Sequence, residues 1–182
     1  MIGRIESLGL IQSACWRELE RAVQERDHEW RRMSVATVSQ GGADLRSMVL
    51  REVHEHGNRL AFYTDSRSPK LAQIMACPQA ALLAWSATLS WQLRLKVQLT
   101  AETTGPEVAA RWERLRLTAA AADYLSPLPP GTPLLGMEPQ RADRGHFAVL
   151  QARVLSIDWL ELHPQGHRRA VFDERGMRWV SP

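Results

Sequence analysis

The sequence has little of several features that mark whole classes of protein. Its two cysteines, Cys15 and Cys77, lack the spacing of a metal site, and we expect both to be small buried or half-buried thiols. No run of about 18 apolar residues occurs, so no membrane partner or membrane span is predicted. The start of the chain lacks the apolar core of a signal peptide, which predicts a cytoplasmic protein.

Lysine is also scarce, since Lys70 and Lys96 are the only two and the remaining positive charge is arginine. The net charge of +3 is mild, and no basic run is interleaved with aromatic residues. The sequence therefore predicts no nucleic-acid partner. Hydrophobic residues make up 45% of the chain and charged residues 24%, as in ordinary globular proteins.

A chain of 182 residues suits one domain that buries its own core. We expect a single domain over residues 1–182, with an N-terminal helical segment over residues 1–29. A Pro-rich connection that includes "SPLPPGTPLLGMEPQ" covers residues 123–145.

The pattern of apolar residues predicts mostly strands. An amphipathic helix is expected over residues 10–29, followed by three strands between Met33 and Asp65 with turns at the Gly41–Gly42 and His56–Asn58 clusters. Further strands are predicted in "AALLAWSA", "SWQLRLKVQLTAET" and "HFAVLQARVLSIDWLEL", with a helix over residues 105–122 and a closing hairpin in "HRRAVFDERGMRWVSP". Antiparallel strands with few helices predict an α+β, mainly β fold built on a barrel-like sheet with peripheral helices.

The segment "DSRSPK" places positive charge where a helix begins. Ser68 is a good N-cap and Pro69 suits the first helical position. Arg67 and Lys70, however, stand where a helix first turn usually prefers acidic residues, because the helix dipole is positive there. A bound phosphate would reverse that unfavourable charge interaction. The alternative is an ordinary capped helix with exposed basic side chains.

The strand "LRSMVLREV" is the second basic element. Arg46 and Arg51 are five residues apart and point to opposite faces of a strand. Arg46 stands at the strand entrance, where a guanidinium can grip a phosphate in bidentate fashion. The alternative is a surface arginine at the end of a strand.

In their order along the chain, "RSMVLREV", "LAFYTDSRSPKLAQI" and "AALLAWSATLSWQLRLKV" resemble the FMN-binding split β-barrel of the pyridoxamine 5′-phosphate oxidase family, and more closely its oxidase-related branch. The resemblance runs from about Trp30 to Pro182. It implies FMN as the cofactor and a homodimer with FMN near the subunit interface. It also implies a flavoprotein that acts as an FMN-dependent oxidoreductase on an unknown small molecule.

The resemblance also implies which residues bind the cofactor. Arg46, Arg67, Ser68 and Lys70 would hold the phosphate, with Arg67 replacing an arginine that the family has at the position of Pro69. The other residues that it assigns to the flavin are Ser47, Met48, Val49, Leu50, Arg51, Tyr63, Thr64, Gln92, Trp159 and Arg169. Trp159 and Arg169 would reach the flavin across the dimer, and Arg168 is the alternative to Arg169. No catalytic side chain and no metal ligand is identified.

The sequence departs from pyridoxamine 5′-phosphate oxidases where those enzymes bind the substrate phosphate. Tyr124 and Ser126 are present, but Pro127 and Leu128 stand where an arginine is expected. Three alternatives remain: that oxidase itself, with Arg168 or Arg141 supplying the charge, a flavin-binding module without turnover, or a barrel for another ligand such as haem or a deazaflavin.

Overall fold

The computed structural model describes residues 4–134 and 145–182. The strands are β1 (Arg32–Ser39), β2 (Gly42–His54), β3 (Arg59–Asp65), β4 (Gln79–Ser86), β5 (Trp91–Glu102), β6 (Phe147–Glu161), β7 (Arg168–Asp173) and β8 (Gly176–Val180). The α-helices are α1 (Leu8–Gln24), α2 (Pro69–Ala76) and α3 (Pro106–Leu115), and 3-10 helices cover Glu29–Arg31, Glu55–Gly57 and Ala119–Tyr124. None of the helices in these residues has the length and apolar character needed to cross a membrane.

The eight strands form one antiparallel sheet in the order β3-β2-β1-β4-β5-β6-β7-β8. An additional pairing of β3 with β6 closes the first six strands into a ring. The strand β6 changes partner along its length, pairing with β3 over residues 147–153 and with β7 over residues 157–161. This arrangement confirms the predicted mainly β barrel with peripheral helices.

The interior of the ring is filled by alternate residues of each strand. In β5 the apolar side chains from Trp91 to Leu99 are buried and the polar ones between them are not, which is the period expected of a half-buried strand. One face of α1 packs into the same core through Ile11, Cys15 and Leu19. Burial raises the pKa of the Cys15 thiol, so it behaves as an inert core residue.

Two predicted helices differ from the observed ones. The helix predicted over residues 10–29 ends at Gln24. The helix predicted over residues 105–122 ends at Leu115 and is followed by the 3-10 helix. The break lies at Thr118, which has extended backbone angles and whose hydroxyl donates to the Leu115 carbonyl at 2.8 Å. A β-branched residue that bonds the preceding turn favours an end to the helix there.

Part of the Pro-rich connection lies outside the described residues, including Arg141. The single domain expected over residues 1–182 stays a prediction, because it includes residues outside the described ranges.

Candidate functional site

An open cleft of about 270 Å³ lies where β2, β3 and α2 meet the 3-10 helix that follows α3. Three of the predicted site segments contribute to it: the part of β2 from Arg46 to Arg51, the end of β3, and the start of α2 with Lys70. The residues that line the cleft are Arg46, Ser47, Met48, Val49, Arg51, Tyr63, Thr64, Asp65, Lys70, Asp123, Tyr124 and Pro130. The fold therefore brings eight of the predicted cofactor residues into one concave surface.

Lys70 has unusual surroundings for a lysine. Its half-buried ammonium donates to the hydroxyls of Thr64 at 2.9 Å and Ser68 at 2.6 Å. In residues 4–134 and 145–182, no carboxylate lies within salt-bridge distance of it. Burial and the positive charge of Arg46 lower the pKa of Lys70. A half-buried cation whose direct partners are hydroxyls alone favours the binding of an anion beside it.

Ser68 occupies the N-cap position of α2, but its hydroxyl makes no capping bond. Its oxygen instead accepts from Lys70. The first turn of α2 therefore keeps backbone N–H groups without a side-chain cap, close to the ammonium. Unpaired N–H groups at a helix start favour an anion for the same reason that the ammonium does.

Arg46 is fixed by a polar network that crosses from the sheet to α2. Its guanidinium donates to the Thr37 hydroxyl at 2.6 Å and to the Gln73 side-chain oxygen at 3.1 Å, and it forms an ion pair with Asp44. The Gln73 amide donates to the same Asp44 carboxylate at 2.8 Å. Because Gln73 stands one helical turn after Lys70, this network ties both cations to one helix.

Arg67, the third cation of the predicted phosphate site, is not among the residues that line the cleft. Its guanidinium pairs with Asp65 at 2.7 Å and donates to backbone carbonyls of the Pro-rich connection. Asp65 is buried, which by itself would raise its pKa, but the bonds from Arg67 lower that pKa. The predicted contact between Arg67 and the phosphate therefore has no support from its position in this chain.

Tyr63 is oriented by a buried ion pair beside the cleft. Its hydroxyl donates to Glu52 at 2.7 Å, and Arg111 donates to both oxygens of that carboxylate at 2.8 and 2.9 Å. Burial would raise the pKa of Glu52, but the bonds from Arg111 and Tyr63 outweigh it and lower the pKa to about 2. The hydroxyl is therefore committed to Glu52, and the ring of Tyr63 stays in one orientation at the cleft.

Arg51 lies over the Tyr63 ring, with its guanidinium carbon 5.6 Å from the ring centroid. In the part of the chain that the structure describes, no carboxylate is within salt-bridge distance of Arg51. Burial raises the pKa of the neighbouring Tyr124, and the positive charge of Arg51 opposes that rise. This end of the cleft therefore offers a guanidinium that has no carboxylate partner in the described residues and lies beside Tyr63 and Tyr124.

The remaining predicted residues lie away from the cleft of the same chain. Gln92, Leu160 and Arg169 are paired across β5, β6 and β7, so their side chains share the outer face of the sheet. Arg169 donates to both oxygens of Asp158, at 2.9 and 2.8 Å. Trp159 points to the opposite side, where it is fully buried.

The two candidate arginines of β7, Arg168 and Arg169, lie on opposite faces of the sheet. Arg168 lies on the inner face, pairs with the buried Glu161 and stands 5.7 Å from the rings of Trp159 and Trp179. Arg169 lies on the outer face with Gln92. Of the two, only Arg169 shares a surface with another predicted flavin residue.

The outer face also carries an apolar patch. Leu45 is 65% exposed, Val38 49%, Trp85 43% and Leu83 39%. Cross-strand pairs place these side chains with Ser47 on one face, through Ala36–Leu45, Ser34–Ser47 and Ser34–Leu83. Four large apolar side chains exposed on one face of a sheet form a candidate protein–protein contact surface. We call this surface, formed by Val38, Leu45, Leu83 and Trp85, the outer patch.

The cleft fits the phosphate end of FMN. Lys70 lacks a carboxylate partner in the described residues, two buried hydroxyls stand beside it, and the uncapped start of α2 adds N–H donors. Cations, hydroxyls and helix N–H groups are the donors that a phosphate dianion requires. The cleft volume of about 270 Å³ is close to the lower end of the roughly 300–1,000 Å³ of most ligand sites.

Sequence reasoning missed several residues of this region. Thr37, Asp44 and Gln73 hold Arg46, and Asp123 and Pro130 line the cleft. Gln73 could have been found, because it lies three residues after Lys70 on the same helix face. Thr37 and Asp44 could not, since their contact with Arg46 depends on the register between β1 and β2.

Comparisons with known proteins agree with this geometry. The family model described as the FMN-binding domain of pyridoxamine 5′-phosphate oxidase matches residues 13–102. A pyridoxine/pyridoxamine 5′-phosphate oxidase from Caulobacter vibrioides is 27% identical over 180 residues, which is 90% of this chain and 79% of that protein. One from Granulibacter bethesdensis is 28% identical over 181 residues, covering 90% of this chain and 84% of that protein.

Solved structures show the same fold. A pyridoxamine 5′-phosphate oxidase-related FMN-binding protein from Nostoc punctiforme superposes with a TM-score of 0.76 at 24% identity, covering 98% of this chain and all of that one. PhzG from Burkholderia lata, solved with tetrahydrophenazine-1-carboxylic acid, has a TM-score of 0.73 at 15% identity and covers 94% and 92% of the two chains. The sequence matches, the ring-closing β3–β6 pair and the phosphate-type donor set agree. Residues 13–102 therefore carry the FMN-binding domain of the pyridoxamine 5′-phosphate oxidase family, the fold is the FMN-binding split barrel, and the cofactor is FMN.

Proposed function

We propose that this flavoprotein is an oxidoreductase that acts on a small molecule and works as a homodimer. The observation that carries the proposal is the extent of the cleft beyond the phosphate donors. Past Lys70 it continues to Arg51, Tyr63 and Tyr124, where the guanidinium of Arg51 has no carboxylate partner among the described residues. A module that only stored flavin would not need a second polar group there.

In this proposal the protein residues bind and orient, and the flavin carries the redox step. Bound FMN would accept a hydride from the substrate and pass the electrons to oxygen or another acceptor. Lys70 and Arg46 would hold the phosphate, and the backbone of residues 47–50 would lie along the ring. Arg51 would attract an anionic group of the substrate and orient it at the open side of the cleft.

The homodimer is supported by the outer patch and by its continuity with the cleft. Ser47 lines the cleft and lies on the same outer face as Leu45 and Leu83. A second copy placed on this face would cover the patch and bring its own outer-face residues, Gln92 and Arg169, towards the flavin. Since Gln92 and Arg169 do not line the cleft of their own chain, the proposed dimer would also complete the site.

The proposal is tested by reduction of the bound flavin in the absence of oxygen. The purified protein is loaded with FMN and mixed separately with nicotinamide dinucleotides, pyridoxamine 5′-phosphate, pyridoxine 5′-phosphate and small organic acids, and the loss of flavin absorbance is followed. We expect at least one donor to reduce the bound flavin faster than it reduces free FMN. Reduction that never exceeds the rate of free FMN would instead indicate a flavin-binding module without turnover.

Arg51→Gln provides the matched variant. Because Arg51 is assigned to the substrate and not to the phosphate, we expect slower reduction by the active donor with little change in FMN affinity. An equal loss of FMN affinity and reduction rate would instead assign Arg51 to cofactor binding.

Pyridoxamine 5′-phosphate oxidation is the second candidate. The names of the two curated relatives favour it, and so does the presence of Tyr124 in the cleft beside Arg51. Pro127 and Leu128, however, provide no positive charge on the Pro-rich side. Formation of pyridoxal 5′-phosphate from pyridoxamine 5′-phosphate would establish this activity in the same assay.

A further inference from the structure

Arg67 links the turn before α2 to the Pro-rich connection. Its Nε and Nη2 donate to the two carboxylate oxygens of Asp65 at 3.0 and 2.7 Å. The same guanidinium reaches three successive backbone carbonyls of the connection. These bonds are Nη2 to Ser126 at 2.7 Å, Nη1 to Pro127 at 3.0 Å and Nη2 to Leu128 at 3.2 Å. One side chain therefore joins two segments about sixty residues apart in sequence.

The connection that Arg67 holds is one wall of the cofactor cleft. Asp123, Tyr124 and Pro130 line the cleft, and the three carbonyls lie between Tyr124 and Pro130 in sequence. The carbonyl of Tyr124 accepts from the backbone N–H of His146 at 3.0 Å, which anchors the start of the wall. Arg67 provides the anchor that follows it.

The bonds of Arg67 leave little of its donor capacity for a ligand. A guanidinium has five N–H donors in a fixed fork, and Asp65 together with the three carbonyls engages both terminal nitrogens and Nε. Its charge is also neutralised by Asp65, which is 5% exposed. Lys70 differs from Arg67 because no carboxylate neutralises its charge in the described residues, and its described hydrogen-bond partners are hydroxyls alone.

We propose that Arg67 is a positioning residue that holds the Pro-rich wall against the flavin cleft, and that it is not a ligand of the FMN phosphate. The proposal rests on the flavin occupying this cleft. Loss of Arg67 frees the wall, so both the ring and its surroundings become more exposed to water. Because the phosphate does not depend on Arg67, forms of flavin with and without a phosphate lose affinity equally.

Titrations with FMN and riboflavin distinguish the two roles. Arg67→Ala and Arg67→Lys are each expected to weaken both flavins by the same factor, so the ratio of their dissociation constants stays within about twofold of that of the unchanged protein. A lysine at position 67 keeps the positive charge but lacks the forked guanidinium that reaches three carbonyls, so it is not expected to restore flavin affinity. If Arg67 instead binds the phosphate, Arg67→Ala weakens FMN alone and Arg67→Lys restores most of that loss. That result would overturn the proposal.

Proteolysis of the wall provides a readout independent of flavin affinity. Both variants are expected to be cut by chymotrypsin after Tyr124 or Leu125 at least about fivefold faster than the unchanged protein, because local opening sets the cleavage rate. Asp65→Asn, which weakens the anchor of Arg67, is expected to share this sensitivity. Unchanged cleavage in all three variants would also overturn the proposal.

Lys70→Met is the matched control, since it removes a cation from the cleft but leaves the wall in place. It is expected to weaken FMN and not riboflavin, without faster cleavage of the wall. If Arg67→Ala fails to fold, as judged by its circular dichroism and thermal transition, Arg67→Lys and Asp65→Asn still decide the question. None of these measurements depends on turnover, so a failure of the proposed oxidoreductase activity leaves them valid.

Discussion

Lys70 in the cleft and the arginines on the outer face of β5 to β7 differ in whether a carboxylate neutralises them. In the cleft, Lys70 is half-buried among hydroxyls and has no carboxylate partner in the described residues. On the outer face, Arg94 and Arg169 share the carboxylate of Asp158. A cation that is buried without a counter-ion costs free energy until an anion binds, whereas a paired one is already satisfied. The proposed phosphate site is therefore recognisable in a single chain, while the outer-face arginines are already paired within it.

Lys70→Met, which removes a cleft cation without a carboxylate partner in the described residues, is expected to have the largest effect on FMN binding. A charge-assisted hydrogen bond contributes about 1.5–3 kcal/mol, so we expect FMN affinity to fall by about 10- to 150-fold. Riboflavin, which has no phosphate, is expected to bind as before. Quenching of flavin fluorescence during a titration measures both dissociation constants.

Lys96→Met is the control for that variant, because Lys96 is the only other lysine and lies exposed on the outer face of β5. It is expected to bind FMN normally. An equal loss of affinity in both variants would mean that general positive charge, and not the cleft, attracts the cofactor.

Leu83→Glu tests whether the outer face belongs to an interface. A carboxylate in the centre of the outer patch is expected to raise the dimer dissociation constant by at least about tenfold, because interface energy concentrates in central apolar contacts. FMN affinity should fall with it, since the proposed site needs residues of both chains. Sedimentation velocity at several protein concentrations measures the first effect.

Leu117→Glu is the matched variant for this experiment. Leu117 is 81% exposed and follows α3, so it is not on any of the strands that form the outer patch. It is expected to leave both the assembly and the cofactor affinity unchanged. A chain that sediments as a monomer before any substitution would contradict the proposed homodimer.

Arg169→Gln and Arg168→Gln compare the two faces of β7. Arg169 shares its face with Gln92, and we expect its loss to weaken FMN and riboflavin alike by about two- to fivefold, because the guanidinium divides its bonds between Asp158 and the ring. Arg168→Gln should leave flavin affinity unchanged and lower the thermal transition, since it leaves the buried Glu161 with fewer partners. The reverse pattern would assign the flavin contact to Arg168.

The smallest expected effect near neutral pH is the pH dependence of FMN binding. Burial and Arg46 lower the pKa of Lys70 in the free protein, and a bound phosphate would raise it again. Binding therefore takes up a proton once the pH exceeds the lowered pKa, and FMN affinity declines as the pH rises further. Affinity should also decline below about pH 6, where the phosphate loses its second charge.

Riboflavin should show neither decline, and Lys70→Met should lose the alkaline decline while keeping the acidic one. Isothermal titration at several pH values measures these changes. An alkaline decline that persists in Lys70→Met would assign it to another group.

Much of the fold was predictable because strand period and helix start are local properties. Alternation in β5 predicts its buried face, and Pro69 after Ser68 predicts the start of α2, as observed. The predicted end of α3 was wrong, because the composition of residues 105–122 favours a longer helix. The hydrogen bond from the Thr118 hydroxyl to the Leu115 carbonyl instead favours an end near Leu115. Within the candidate site, Arg46, Tyr63 and Lys70 line one cleft, as the order of the motifs implied. The proposed role of Arg67 could not be read from sequence, since its carbonyl acceptors lie about sixty residues away.

The sequence by itself determined a mainly β chain with two basic segments that resemble a flavin-binding family. Only the tertiary structure decided which of those cations are neutralised. Local spacing determines the face on which a side chain lies, because strands and helices repeat regularly. The counter-ion of a side chain depends on pairing between distant strands and on the path of irregular segments. Asp158 neutralises Arg169, and Asp65 with the carbonyls near Pro127 engages Arg67, while the described hydrogen-bond partners of Lys70 are hydroxyls alone.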